Sequence, residues 1–459
     1  MAAVTDRLVV IGGDAGGMTA AAQARRRRSV DELEIVAFER DEFTSYSACG
    51  IPYFVGNVVK QVDALIARSP EEHRRRGIDV RTGHLVTAID LGRRAVEVQP
   101  TAGGTGGWEP FDQLVIATGA TPVRPPIPGI DAQGIFGVQT LADGVAVRAA
   151  VDELADDTRH AVVVGGGYVG LELAEALVMR GLRVALVEAA PQPMTTLDPD
   201  MGALVAEALR GSGVELHLGE AVEGFDASDG RVRAVRTKRT TLPADIVILG
   251  LGVRPNSDLA AHAGIAVGEQ TKGIVTDDRM RTSADGVWAA GDCVETRHRV
   301  SGRPVAIALG THANKQGRVV GINATGGDAS FPGVIGTAVS KICKYEVART
   351  GLNEREAADG GFDAAAATIE STTRAGYFPG ASKIRVKAVA ERGSGRLLGA
   401  QIVGEEGAAK RIDVLATAIW NEMTADELSY VDLSYAPPLS PLWDPVLVAA
   451  RQVADAPRA

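Results

Sequence analysis

Two stretches of the chain repeat one order of apolar and polar positions. In the first, a short apolar run from Arg7 to Ile11 ends in glycine. A helical pattern follows from Gly16 to about Arg28, and a second apolar run, Glu34 to Phe38, stops at Glu39. In the second, Ala161 to Val164 reads as a strand, Gly165 to Gly170 as a turn and Leu171 to Arg180 as a helix. Val184 to Val187 then reads as a strand that ends at Glu188. Short continuous apolar runs bounded by glycine predict buried parallel strands, so the chain contains a βαβ unit twice.

The segments around these units set the domain organisation. Between them lie Val96-Glu97-Val98 and the glycine-rich loop Pro100 to Gly107, a predicted hairpin tip. A strand ending in Val115 to Gly119 is followed by Pro122, Pro125, Pro126 and Pro128, a rigid crossover. A similar event, Ile246 to Gly252 followed by Val253-Arg254-Pro255-Asn256, reads as the exit from an inserted domain. From about Phe331 the chain alternates strand-like runs such as Ile384 to Val386 with helical ones such as Arg411 to Asn421. The expected fold class is α/β: two Rossmann-like domains, 1–121 with 254–327 and 122–253, plus a C-terminal α+β domain, 328–459.

Composition narrows the function. The 459 residues include 54 glycines, and only 4% are aromatic, which favours tight βα turns. A net charge of −10 argues against a nucleic-acid partner. Cys49, Cys293 and Cys343 are too scattered for a disulfide framework, which points to a reducing, cytoplasmic setting. No signal peptide is expected, because the apolar stretch from Leu8 contains Asp14 and runs into Arg25 to Arg28. No membrane span is expected either: the run Ala161 to Leu171 is broken by Gly165 to Gly167 and followed by Glu172 and Glu175. No metal site is expected.

The turns carry the chemistry. Gly165, Gly167 and Gly170 form a complete Gly-x-Gly-x-x-Gly between strand and helix, which lets a pyrophosphate approach the helix N-terminus. Glu188 is placed to accept hydrogen bonds from an adenosine ribose and to repel a 2′-phosphate. Ala189 and Ala190 add no arginine, so NADH is expected, with NADPH left possible by Arg183. The first turn, Gly12-Gly13-Asp14-Ala15-Gly16-Gly17, keeps its first and last glycines, Gly12 and Gly17, but has Asp14 in the middle. Glu39 and Arg40 end the next strand, so a second dinucleotide is expected there. Two such sites suggest a flavin and a nicotinamide.

Thr282 to Asp292, ending in Gly291-Asp292, resembles the second FAD motif of the pyridine nucleotide–disulfide oxidoreductases, and Ala117-Thr118-Gly119 also matches that family. The resemblance covers nearly the whole chain. It is strongest to the single-cysteine branch of coenzyme A-disulfide reductases, NADH oxidases and NADH peroxidases. Shared stretches are Cys49 to Tyr53, Ala313 to Arg318, Gly336 to Ala338, Arg374 to Tyr377 and Ser434 to Pro438.

The resemblance implies FAD, with Thr118, Gly119 and Asp292 beside it and Asp292 on the ribityl chain. It also implies a C-terminal dimerisation domain. Tyr168 resembles the family's gate over the nicotinamide pocket, and Glu172 would orient the nicotinamide. The Cys-x4-Cys pair of glutathione reductase-like members is absent, since positions 44 and 54 are Thr44 and Phe54, and so is their C-terminal His-Glu pair, since no histidine follows His312. The histidine used by peroxidases and water-forming oxidases is replaced by Ala15. Tyr377 and Tyr435 match tyrosines that reach across a homodimer toward the other subunit's Cys49, where Tyr435, or else Tyr377, would protonate a leaving thiolate.

Cys49 is then the expected nucleophile, attacking a small-molecule disulfide, with a helix beginning near it to stabilise the thiolate. Cys293 and Cys343 are expected to be buried and inert. Arg28 fits best for the phosphates of coenzyme A, with Ser45 and Ala48 also at the substrate; Arg74 to Arg76 form a second basic cluster. The family often has asparagine where this chain has Ala48, so a persulfide, polysulfide or other disulfide stays open. The alternatives are an NADH oxidase or peroxidase cycling Cys49 through a sulfenic acid, and a flavin redox sensor or electron carrier.

Overall fold

The computed structural model describes residues 6–155 and 159–456. Three five-stranded sheets organise them. The first is parallel, with Asp6–Ile11 at its centre between Leu33–Phe38 and Gln113–Ile116, and with Asp79–Arg81 and Val287–Ala289 at its edges. The second repeats that order: His160–Val164 lies between Arg183–Glu188 and Ile246–Leu249, flanked by Glu215–Leu218 and Ile135–Gly137. In both, the chain leaves the central strand at the point where its neighbours diverge, which opens a crevice at the carboxyl ends of the strands.

The strands are buried because both faces are covered. In the first sheet Leu8, Val9, Val10, Ile35, Val36, Leu114 and Val115 are inaccessible to solvent, as the continuous apolar runs predict. Helix Ala15–Arg27 packs on one face against helix Gly310–Asn323. Their closeness is set by small residues: a Cβ on Gly317 would lie 2.3 Å from the Gly16 carbonyl oxygen, and one on Gly321 2.4 Å from that of Ala20. The proline-marked crossovers run side by side, Ala120–Pro122 pairing antiparallel with Val253–Pro255. The loop 100–107 is a hairpin tip between Ala95–Pro100 and Gly107–Pro110.

The third sheet is antiparallel, in the order Ala338–Ile342, Tyr345–Gly351, Leu397–Gly404, Lys383–Glu391, Ala364–Thr372. Helices Ile412–Trp420 and Pro445–Ala454 cover it. A polar seam joins it to the second unit. Lys387 is buried and its Nζ lies 2.8 Å from Asp200, 3.2 Å from Asp198 and against Glu354. Gln401 donates to Asp198 Oδ2 at 2.6 Å. No helix among the described residues is long and apolar enough to cross a membrane.

Candidate active site

The first glycine turn is rigid for reasons visible in its backbone. Gly12 has φ +112°, and a Cβ there would lie 2.1 Å from the Ala117 carbonyl oxygen, so only glycine fits. Gly17 lies under the turn, where a Cβ would meet the Gly12 carbonyl oxygen at 2.0 Å. Glu39 locks the turn from the next strand: its Oε2 accepts the Gly13 N–H at 2.7 Å and its Oε1 that of Asp41 at 3.0 Å. Asp14 is the N-cap of helix Ala15–Arg27, yet its side chain makes no capping hydrogen bond. It accepts the Tyr46 N–H instead, at 3.1 Å. The first N–H groups of the helix thus stay open toward an anion.

The carboxyl ends of the strands surround a cleft of ≈ 920 Å³. Gly12, Asp14, Ala15, Glu39 and Arg40 line it. Thr118, Gly119 and Asp292 also line it, as do Ser45, Ala48 and Cys49. Burial, with Glu39 and Asp292 nearby, pushes the Asp14 carboxyl up to about 7 against the pull of the Tyr46 N–H. Burial raises Asp292 to about 6 and also raises Glu39. A glycine cradle, a helix N-terminus and two carboxylates at strand ends fit a dinucleotide such as FAD.

The second turn is a near copy. Gly165 has φ +102° and its Cβ would lie 2.4 Å from the Gly250 carbonyl oxygen; that of Gly170 would lie 2.1 Å from the Gly165 carbonyl oxygen. Glu188 accepts the N–H of Gly166 at 2.7 Å and of Ala190 at 2.8 Å. Gly167 is different in kind: the nearest atom to a Cβ there is 3.8 Å away, so the fold leaves that space free for a ligand. Arg183 begins the strand that Glu188 ends, five residues or roughly 16 Å away. The reach assigned to it toward the ribose site is therefore corrected. Tyr168 starts helix Tyr168–Met179, with its hydroxyl buried beside that of Thr196. Glu172, one turn on, accepts a 2.7 Å bond from Ser340 of the third sheet, and burial raises its carboxyl.

Cys49 sits between the two units. It lies in the single turn Ala48–Gly50, ahead of helix Ile51–Val55. That helix packs on Leu141–Asp152 and Tyr168–Met179. The expected helix effect on the thiol is overturned. The helix has five residues, and the thiol is pushed up, first by the surrounding protein and then by Glu172, Asp292 and Asp14. The thiol is nonetheless exposed, whereas Cys293 is fully buried. Cys343, expected to be buried, is only partly so, in a turn with φ +56°.

Arg28 is also corrected. It lies beyond the last turn of its helix, in extended conformation, and is held by Asp6 at 2.5 Å and the Glu32 carbonyl at 2.8 Å. It does not line the cleft; Arg26 does, together with Thr19. Thr19, Gln23 and Arg26 follow the i, i+4, i+7 spacing of one helix face, the signal that separates them from Arg28. Arg26 donates to Gln23 at 3.2 Å. Arg68 and Gln139 also line the cleft and were not anticipated.

Tyr377 and Tyr435 lie together on the surface of the C-terminal region, with exposures of 78% and 46%. The Ala375 N–H donates to the Pro437 carbonyl at 3.0 Å, tying their loops. Arg411 anchors the second loop through Asp444 and the carbonyls of Thr373 and Leu439. Neither tyrosine lines the cleft of its own chain. Among the described residues no cluster of metal ligands occurs.

A family model described as pyridine nucleotide-disulphide oxidoreductase matches residues 6–317, and the corresponding dimerisation domain matches 337–445. A protein of Pyrococcus abyssi named NAD(P)H sulfur oxidoreductase (CoA-dependent) is 38% identical over 98% of this chain and 98% of its own length. One of Methanocaldococcus jannaschii named NADH oxidase is 36% identical over 97% and 98%. The solved structure of an NAD-dependent persulfide reductase from A. fulgidus superposes with TM-score 0.93 at 40% identity, covering 97% of this chain and 82% of that one.

Proposed function

The chain belongs to the pyridine nucleotide-disulphide oxidoreductase family, and from that premise we propose that it is an FAD-dependent NAD(P)H oxidoreductase that reduces a low-molecular-weight disulfide, persulfide or polysulfide related to coenzyme A. The observation that carries this is the placement of one exposed thiol. Cys49 lines the cleft that fits the flavin, while Cys293 is buried and neither it nor Cys343 lines that cleft. The second sulfur therefore comes from the substrate. The name of the CoA-dependent Pyrococcus relative supports the substrate class.

The residues divide the work. The free N–H groups after Asp14, with Glu39 and Asp292, hold FAD, which when bound relays two electrons from the nicotinamide to sulfur. Gly165 to Gly170 and Glu188 would hold NAD(P)H, and Glu188, followed by Ala189 and Ala190, favours NADH. Tyr168 would cover the nicotinamide and Glu172 would orient it. The Cys49 thiolate attacks the substrate disulfide, forming a Cys49–S–S–R bond as the S–S bond of the substrate breaks. The expelled thiolate takes a proton from Tyr435 of a second copy of the chain, with Tyr377 beside it. Two electrons from NAD(P)H then cleave Cys49–S–S–R, releasing the second thiol and restoring the Cys49 thiolate. The balance is RSSR + NAD(P)H + H⁺ → 2 RSH + NAD(P)⁺.

Residues 1–121 with 254–327, 122–253 and 328–459 are assigned as the FAD, nicotinamide and dimerisation domains; residues 1–5, 156–158 and 457–459 lie outside those described. The enzyme is read as a cytoplasmic homodimer. A second reading, NADH oxidase or peroxidase through a Cys49 sulfenic acid, is favoured by the name of the Methanocaldococcus relative. Anaerobic kcat/KM for coenzyme A disulfide, coenzyme A persulfide and polysulfide, compared with peroxide and dioxygen, separates the two. Sulfur substrates are expected to be preferred by more than tenfold. Preference for peroxide or dioxygen contradicts the proposal.

A further inference from the structure

Among the described residues, Ser45 is the only non-glycine lining the cleft in the left-handed region, with φ +47°. That conformation is strained for a residue with a Cβ and persists only where surrounding bonds fix it. Two do so: the Ser45 N–H donates to the Gly13 carbonyl at 3.0 Å, and the Ala67 N–H donates to the Ser45 carbonyl at 2.8 Å. The strain sets the Ser45 hydroxyl 3.0 Å from Nε2 of His73.

His73 lies on helix Pro70–Arg75 and is inaccessible to solvent. Its Nδ1 is buried with no hydrogen-bond partner. Arg68, Arg76, Glu72 and the Ser45 hydroxyl are the charged and polar groups that bear on the ring. Burial, then Arg68 and Arg76, lower its pKa to about 4, so the ring is neutral at working pH and carries a single N–H. Placing that hydrogen on Nδ1 would bury an unpaired donor, which folded proteins rarely tolerate. Placing it on Nε2 leaves only a lone pair unpartnered and makes Nε2–H a donor to the Ser45 oxygen. The Ser45 proton is then turned away from His73.

We propose that His73 is a positioning residue that fixes the Ser45 hydroxyl as a hydrogen-bond donor into the cleft, aimed at an oxygen acceptor on the arm of the substrate thiol. Arg68, which lines the same cleft, supplies a second donor of matching sign. The assignment of the acceptor rests on the functional reading above; the tautomer does not.

Two measurements test it. The first is ¹⁵N NMR of histidine-labelled holoenzyme, with the His73 signal assigned by its loss in His73→Phe or by its shift in Ser45→Gly. A neutral Nε2–H ring, unchanged from pH 6 to 9, is expected; an Nδ1–H or cationic ring overturns the proposal. The second is anaerobic kinetics with coenzyme A disulfide. His73→Phe and Ser45→Gly should each raise KM about fivefold, the worth of one hydrogen bond, with the rate of flavin reduction by NADH unchanged. His73→Gln, which retains a side-chain N–H donor, should recover part of the loss, and the double variant should be no worse than either single one. Unchanged KM in both single variants, or additive losses in the double, overturns it. If the wild type turns over no disulfide, the functional reading fails and the NMR result alone decides the tautomer.

Discussion

The two dinucleotide units share a backbone and differ in what they place at its third turn position. Gly12 and Gly165 adopt left-handed φ of +112° and +102°, and Glu39 and Glu188 each accept the next N–H at 2.7 Å. The third residue has ordinary negative φ in both, −116° at Asp14 and −81° at Gly167. Neither turn therefore needs glycine there for its own geometry. At Gly167 the space is left for a ligand. At Asp14 a carboxyl fills it, beside Glu39, Asp292 and the Cys49 thiol. A glycine demanded by the backbone marks the fold, whereas a glycine the backbone does not need marks the ligand.

Variants that separate the units sharpen this contrast. The largest effect is expected at Cys49, which only the first unit's cleft contains. Cys49→Ser should lower disulfide reduction by about a thousandfold or more, the scale of losing a covalent nucleophile, while NADH still bleaches the flavin at the wild-type rate in stopped flow. Next come the backbone glycines. Gly12→Ala should cost several kcal/mol through its clash and positive φ (of order 3 kcal/mol or more) and give flavin-free protein on purification. Gly165→Ala should keep its flavin and lose NADH binding by titration. Loss of flavin from both variants would break the comparison.

Smaller effects test the third position. Gly167→Ala has room in the protein itself, so its melting temperature should match the wild type while KM for NADH rises about tenfold. Asp14 should show itself through pH. Its folded pKa of about 7 lies above its ordinary 3.8, so its contribution to stability is full below pH 4 and is lost as pH rises toward 7. Flavin-stripped protein should thus melt higher at pH 5 than at pH 8. Asp14→Asn, which still accepts the Tyr46 N–H, should shrink that difference by up to about 1.4 kcal/mol per pH unit. An unchanged difference would remove Asp14 from the account.

Much of the fold is legible in the sequence because strands covered on both faces leave continuous apolar runs, and turns with positive φ leave glycines. Gly12, Glu39, Thr118 and Gly119 in the cleft are legible for the same reason, since they follow strands closely. The electrostatics are not. Glu172 and Asp292, which oppose the Cys49 thiolate, come from 123 and 243 residues further along the chain (positions 172 and 292 against 49). Arg28 misleads because it stands two residues past Arg26, beyond the helix end, where the arginine run gives no hint of direction. His73 reads as one more polar residue before Arg74 to Arg76, and only the folded chain buries it behind Ser45.

The central claim is that Cys49 makes a bond to the substrate's sulfur and that no other sulfur of the chain takes part. NADH-reduced protein should be mixed anaerobically with one equivalent of coenzyme A disulfide, quenched within milliseconds and digested. The account predicts one coenzyme A half attached to the peptide carrying Cys49, with one equivalent of free thiol released and Cys293 and Cys343 unmodified. An adduct on another cysteine, or thiol release at the wild-type rate from Cys49→Ser, would contradict it.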